Sequence, residues 1–257
     1  MARPYEIGRF VHLPGKYVVA FHVSLSPECL EKPGILVSIL NIFAKEKISI
    51  VNLKFSRPKL GYPLDLLIFA DLTGCRGREE TLAREIESLE FVDSVQVTKP
   101  VFNGLTVCNT LFPLTLLGER AVIFRRPLYE AFIKRMRERM GTGYTAILYY
   151  IGCEIGRIAF SSHQGISEGS FEALIAINKE LFRVVGFGSM EIIQFNPEEK
   201  KAIVRVWDNF ECELFKGSST PQSNLIRGML AGWLGGLFNT EMYAQETKCI
   251  ALSLIHI

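Results

Sequence analysis

The stretch Glu28-Cys29-Leu30-Glu31-Lys32-Pro33-Gly34-Ile35-Leu36 decides the fold of the first part of this chain. Before it, Tyr17 to Ser24 alternates: Val18, Ala20, His22 and Ser24 share one face, and Tyr17, Val19, Phe21 and Val23 share the other. That period marks a strand. After it, Ile35, Leu36, Ile39, Leu40 and Phe43 recur at helical spacing, predicting a helix from about Pro33 to Lys45. Proline has its φ near the helical value and needs no N–H at a first helical position. Gly34 lacks a Cβ, so a ligand can approach the helix N-terminus, whose unpaired N–H groups favour a carboxylate.

Working outward, Ile48 to Phe55 reads as a second strand and Leu64 to Asp71 as a third. Glu79 to Leu89 reads as a helix and Val92 to Val97 as a fourth strand. The order β-α-β-β-α-β is ferredoxin-like. With the acidic-x-Pro-Gly turn at Glu31 to Gly34 and Ile50-Val51-Asn52-Leu53 on the second strand, residues 17–100 resemble an ACT domain. The resemblance implies an allosteric sensor, usually of amino acids. The ligand would sit among Glu31, Lys32, Pro33, Gly34, Ile35 and Asn52, against a partner subunit in a homodimer. The motif departs from the family's in having glutamate where aspartate is usual.

Composition bounds the rest. The 257 residues carry 29 Lys and Arg against 27 Asp and Glu, a net charge of +2, so nothing in the charge asks for nucleic acid. Length suffices for two domains, each with its own core. No apolar run reaches the ~20 residues of a membrane span. The nearest, Leu225 to Phe238, includes Arg227. The N-terminus lacks an apolar signal core, and six cysteines without a Cys-x-x-Cys pair argue against a disulfide framework. A cytoplasmic protein is expected.

Residues 1–16 read as an arm and 101–118 as a connector to a second domain over 119–251. There, helical patterns cover Pro127 to Met140, Tyr144 to Phe160 (apolar nearly all round) and Ser170 to Val185. A hairpin follows, Met190 to Phe195 and Ala202 to Trp207, joined by the polar turn Asn196 to Lys200, with strand character continuing to Leu214. Thr220 and Pro221 then predict the start of a helix with a wide apolar stripe and a second stripe of Gly228, Gly232 and Gly235, which lets another element pack close. A last strand is expected over Glu241 to Ala251. The whole is an α+β chain: the ferredoxin-like domain, then about four helices and an antiparallel sheet.

Tyr144-x-x-x-Leu148-x-x-x-Gly152, Gly186-Phe187-Gly188, Gly228-Met-Leu-Ala-Gly232 and Glu246-x-x-Cys249 are similar to a 4-vinyl reductase-type domain over roughly residues 119–252. That family shares the fold of a vesicle-tethering subunit with an apolar tunnel. It includes the sensor domains of aromatic-responsive bacterial regulators and a bacteriochlorophyll-synthesis accessory protein. The resemblance implies binding of a small, largely apolar or aromatic molecule. Tyr150, Cys153, Phe187, Trp207 and Trp233 are the candidate walls. Some relatives hold zinc through a glutamate, the cysteine three residues later, and two further cysteines. Glu246 and Cys249 match the first two, but Ser223 and Ile257 stand where the others belong. Structural zinc takes four ligands, so zinc is expected only if a different C-terminus supplies a cysteine. Residues 252–257, Leu-Ser-Leu-Ile-His-Ile, resemble translated sequencing-adapter read-through.

Catalytic motifs do not survive inspection. Gly165-Ile-Ser167-Glu-Gly169 fits a nucleophile elbow but follows a helix, where a strand is required, so Ser167 reads as a cap or turn residue. Gly141-Thr-Gly143-Tyr-Thr-Ala146 matches a dinucleotide fingerprint but lies between helices. Residues 120–139 hold seven basic side chains, including Arg126 and Arg137, and read as a solvated helix face. Glu154 and Arg157 read as a helical pair, and His163 as an exposed loop residue. The expectation is a two-domain ligand-responsive regulator without catalytic activity, binding small molecules but neither nucleic acid nor membrane. The alternative is an accessory protein or enzyme of tetrapyrrole metabolism.

Overall fold

The computed structural model describes residues 4–249. The final six residues and the distal part of the expected last strand lie outside them. The chain divides into two compact units, residues 1–122 and 123–257, and its class is α+β.

In the first unit β1 (Phe10–His12) precedes β2 (Val18–Leu25), and a 3-10 turn over Pro27–Leu30 leads to α1 (Ile35–Lys45). Then come β3 (Ser49–Phe55), β4 (Leu64–Asp71), α2 (Glu79–Glu87), β5 (Val92–Thr98) and β6 (Leu105–Val107), with a small hairpin of β7 (Thr115–Leu116) and β8 (Glu119–Arg120). The central sheet has the order β3-β4-β2-β5, antiparallel throughout. The first helix starts at Ile35, two residues later than Pro33 predicts, because Gly34 takes φ 88° and only the next residue is helical.

The alternation along β2 divides as read. Val19, Phe21, Val23 and Leu25 enter a core with Ile39 and Phe43 of α1 and Leu82 and Ile86 of α2. Phe21 meets Phe43 edge-on at 5.4 Å. Burying each such side chain contributes about 1.5–3 kcal/mol. Val18 and Ala20 on the opposite face are also buried, with Leu67, Phe69 and Cys108. The arm and connector, read from sequence as lying outside the domain, form this second layer. β1 pairs with β6, and Thr106 Oγ1 donates to the Val18 carbonyl. An apolar sheet face open to water would cost stability, and these flanking segments cover it.

In the second unit α3 (Arg126–Glu130), a π turn (Ala131–Arg135) and α4 (Met136–Met140) run on as one helical segment, and Gly141 turns the chain into α5 (Thr142–Ser167). α6 (Phe171–Val184), the hairpin β9 (Ser189–Asn196) and β10 (Lys201–Trp207), α7 (Phe210–Glu213) and α8 (Asn224–Phe238) follow. Asn196 Oδ1 accepts the N–H groups of Glu198 and Glu199 and closes the hairpin turn.

Three local expectations are corrected. Phe210 to Glu213 is helical where strand was expected, because Asn209 caps it by accepting the N–H groups of Glu211 and Cys212. α8 begins at Asn224, since Thr220 and Pro221 precede its first turn. Residues 241–249 form no strand. Although its sequence is apolar nearly all round, α5 leaves Ile147, Tyr150, Ile151, Ile155 and Ile158 exposed.

α5 and α8 pack backbone to backbone. A Cβ on Gly152 would lie 2.2 Å from the Leu225 carbonyl oxygen, and one on Gly156 would lie 2.1 Å from that of Met229. On α8, a Cβ on Gly228 or Gly232 would lie 2.0 Å from the carbonyl oxygens of Tyr149 and Cys153. The glycine stripe does what its spacing predicts, except that Gly235 sits against the Thr240 carbonyl at the helix end.

Candidate functional site

The second unit concentrates its polar chemistry at the N-terminus of α8. The Glu211 carboxylate is fully buried there: Oε1 accepts the N–H groups of Asn224 at 2.9 Å and Leu225 at 3.0 Å, and Oε2 that of Ile226 at 3.0 Å. A helix leaves its first N–H groups without intrahelical partners, and this one carboxylate takes three of them. Burial pushes the Glu211 carboxyl up to about 7, against the pull of those three donors. Asn209 completes the brace by donating to Ser223 Oγ at 3.1 Å.

Glu211 is followed by Cys212, whose thiol lies 3.7 Å from Glu246 Oε1 and 3.5 Å from the Cys249 sulfur. Glu246 Oε2 accepts the Ser223 N–H at 3.0 Å. One ligand-type atom from each of Cys212, Glu246 and Cys249 falls within 4.8 Å of the others. Burial raises the Cys212 thiol well above its ordinary range, and Glu246 and Cys249 raise it further. Burial lowers the Arg137 guanidinium from its ordinary range, with Glu211 and Glu246 acting against that, and the group lies over Phe215 at 5.0 Å.

This donor set fits zinc. Two sulfurs and a carboxylate oxygen are its usual ligands, and Zn–S bonds of about 2.3 Å in a tetrahedron put neighbouring ligands roughly 3.7 Å apart. The observed spacings of 3.5 and 3.7 Å match that edge. Sequence reading named Glu246 and Cys249 as a possible metal pair, and the structure places Cys212 beside them. The missing signal is tertiary: 34 residues separate Cys212 from Glu246, and no local motif links them. Ser223, at the position expected of a ligating cysteine, contributes a backbone N–H instead.

The five side chains expected to wall an apolar pocket differ in burial and in the contacts they make. Trp233 is buried beside Leu174 and Leu234. Phe187 packs at 5.5 Å on Phe182 and 5.4 Å on Phe210. Cys153 is buried on the α8 side, and its carbonyl abuts Gly232. Tyr150 is 67% exposed and Trp207 41%. Tyr150 stands two residues from Gly152, about 200° around the helix, and so faces away from the glycine seam. His163 is not a loop residue: it is buried in α5 and accepts the Trp233 indole N–H. Ser167 closes α5 by donating to the Gln164 carbonyl, and Glu154 pairs with Arg157 as read.

In the first unit Glu31, Lys32, Pro33 and Gly34 are all exposed, and Ile35 and Asn52 are half-buried. Lys32 pairs with Glu28 at 2.7 Å. The first turn of α1 holds no acidic residue. Among the described residues no side chain accepts from its first N–H groups, whereas Glu211 takes three of those of α8.

No family model matches the chain. It is 25% identical over 117 residues to an uncharacterized protein of Methanocaldococcus jannaschii, covering 46% of this chain and 63% of that one. The chain therefore spans under two thirds of that relative's length. Among solved structures, it is similar to the phenol-responsive sensory domain of the transcription activator PoxR, with a TM-score of 0.48, 14% identity, and coverage of 54% of this chain and 74% of that domain. It is also similar to the C-terminal domain of MgtC from Mycobacterium tuberculosis, with a TM-score of 0.28, 13% identity and coverage of 35% and 93%. A homoserine dehydrogenase from Thiobacillus denitrificans gives 0.26, 17%, and coverage of 33% and 17%. At these values none of the three carries its function over to this chain.

Proposed function

We propose that the protein is a non-catalytic, ligand-responsive regulator. Its first unit takes the carboxylate of an amino acid on the N-terminus of α1. The observation that carries this reading is the contrast between two helices: the first N–H groups of α8 are filled by Glu211, while among the described residues no side chain accepts from those of α1 behind its exposed Pro33-Gly34 turn. Open N–H groups at a helix N-terminus attract an anion. Asn52 and Lys32 offer further polar contact, and a second copy supplies the opposite wall, which makes the working form a homodimer.

The second unit takes a small apolar or aromatic molecule, a reading supported by the aromatic cluster of Phe182, Phe187 and Phe210. Cys212, Glu246 and Cys249 would hold zinc together with a fourth protein donor. Bound zinc supplies a structural bond, tying the strandless 241–249 segment to α7, with both thiols ionised. Each ligand acts by stabilising one arrangement of the dimer.

Calorimetric titration of the full chain with single amino acids tests the first unit. At least one is expected to bind, and Gly34→Ala is expected to abolish that binding, because Gly34 needs φ 88° and alanine there strains the turn. Failure of every amino acid to bind, or equal binding by the variant, overturns the reading. Native mass spectrometry of the same protein tests the second unit: a mass of a small organic molecule, lost on denaturation, is the expected result.

A further inference from the structure

The first unit carries a second concave site, at the opposite end of β2 from the Glu31 to Gly34 turn. Tyr17 precedes the strand and the turn follows it, so eight extended residues, about 27 Å, separate them. The site is a cavity of 290 Å³ between the turn around Lys16 and the turn at residues 100–104. That is at the small end of the range for ligand pockets.

Both walls are built before any ligand arrives. Lys16 N donates to the Leu13 carbonyl at 3.0 Å, and Leu13 N donates to the Gly104 carbonyl at 2.9 Å. Gly15 N donates to Asn103 Oδ1 at 3.2 Å, and Val101 N to the Leu105 carbonyl at 2.8 Å. Gly104 has φ 73°, and a Cβ there would lie 1.8 Å from the Leu13 carbonyl oxygen, so only glycine lets the two turns lock. A site that needs no ordering on binding loses less affinity to conformational entropy.

The lining divides into one available cation and an apolar mouth. Lys16 is spent on Asp71 at 2.9 Å, and Asp71 also accepts from Thr73. Glu79 accepts the Gly77 N–H. Arg76 lies over the Tyr17 ring at 4.8 Å and forms no ion pair among the described residues. A guanidinium without an ion-pair partner has N–H donors left for a carboxylate, which it can bind in bidentate fashion. Val101 and Phe102, which also line the cavity, are 73% and 72% exposed and so are available to an apolar body.

We propose that this cavity binds a small monoanion with a flat apolar body. The carboxylate would meet Arg76, and the body would lie against Val101 and Phe102. The site is independent of the one proposed at α1.

Benzoate is the probe. Titrated into the ¹⁵N-labelled full chain, it is expected to saturate shifts at the amides of Gly15, Asn103 and Gly104, and to leave those of Gly34 and Ile35 unmoved. Arg76→Ala is expected to weaken binding at least tenfold, Phe102→Ala to weaken it several-fold, and Gly34→Ala to leave it unchanged. Acetate, without the ring, and benzyl alcohol, without the charge, are each expected to bind at least tenfold more weakly. Absence of saturable shifts at those three amides overturns the proposal. So does undiminished binding by Arg76→Ala, or by benzyl alcohol. If Gly34→Ala abolishes amino-acid binding while benzoate still binds, both sites stand separately; loss of either result removes only its own site.

Discussion

The Trp233 indole N–H donates to Nδ1 of His163 across 3.1 Å, joining α8 to α5 in a buried contact. The bond requires an unprotonated Nδ1, and burial lowers the imidazole pKa from its ordinary 6.5. As pH falls through 6.5, the unfolded chain therefore takes up the proton before the folded one does. The stability contributed by neutral His163 is complete above pH 6.5 and is lost progressively as pH drops toward the lower folded value. Denaturation midpoints of wild type and His163→Gln, compared from pH 8 to pH 5, isolate this contribution. The wild type is expected to lose more stability than the variant on acidification, and parallel curves would refute the assignment.

The glycine seam predicts a contrast between two alanine substitutions on one helix. Gly156→Ala sets a Cβ 2.1 Å from the Met229 carbonyl oxygen. Backbone cannot yield cheaply, so a loss of about 3 kcal/mol or more is expected. Gly165→Ala meets nothing within 4 Å and is expected to stabilise by up to about 1 kcal/mol through helix propensity. Urea unfolding monitored by far-ultraviolet dichroism reads both.

Glu211 caps α8 through three N–H groups. Glu211→Ala leaves those donors buried without an acceptor, which predicts a loss of about 3 kcal/mol or more. Glu211→Gln keeps one carbonyl oxygen and should fall between. An equal loss in the two variants would mean that the carboxylate's charge, and not its count of acceptors, holds the helix.

Zinc content follows from the cluster at Cys212. Purified protein is expected to carry one zinc per chain by elemental analysis, and Cys212→Ser is expected to lose most of it. Chelation should lower the thermal midpoint of the wild type and leave that of Cys212→Ser unmoved. Full zinc occupancy in the variant would exclude Cys212 as a ligand.

The ferredoxin-like unit was legible because its signals are local. Period-two alternation over Tyr17 to Ser24 and the Pro33-Gly34 turn each act within a few residues, and β4 forms over Leu64–Asp71 as read. The same locality misled at Phe210 to Leu214, where apolar alternation suggested strand and the Asn209 cap made a helical turn. His163 looked partnerless because its partner, Trp233, is 70 residues away.

The sequence by itself determined the two-unit α+β order, the inner face of β2 and the close approach of α8, since periodicity and missing Cβ atoms are properties of single segments. Only the tertiary structure decided that the arm and connector cover the outer face of β2. It also brought Glu211 to the head of α8 and Cys212 to Glu246 and Cys249. Those relationships depend on the three-dimensional meeting of distant segments, and no spacing along the chain encodes such a meeting.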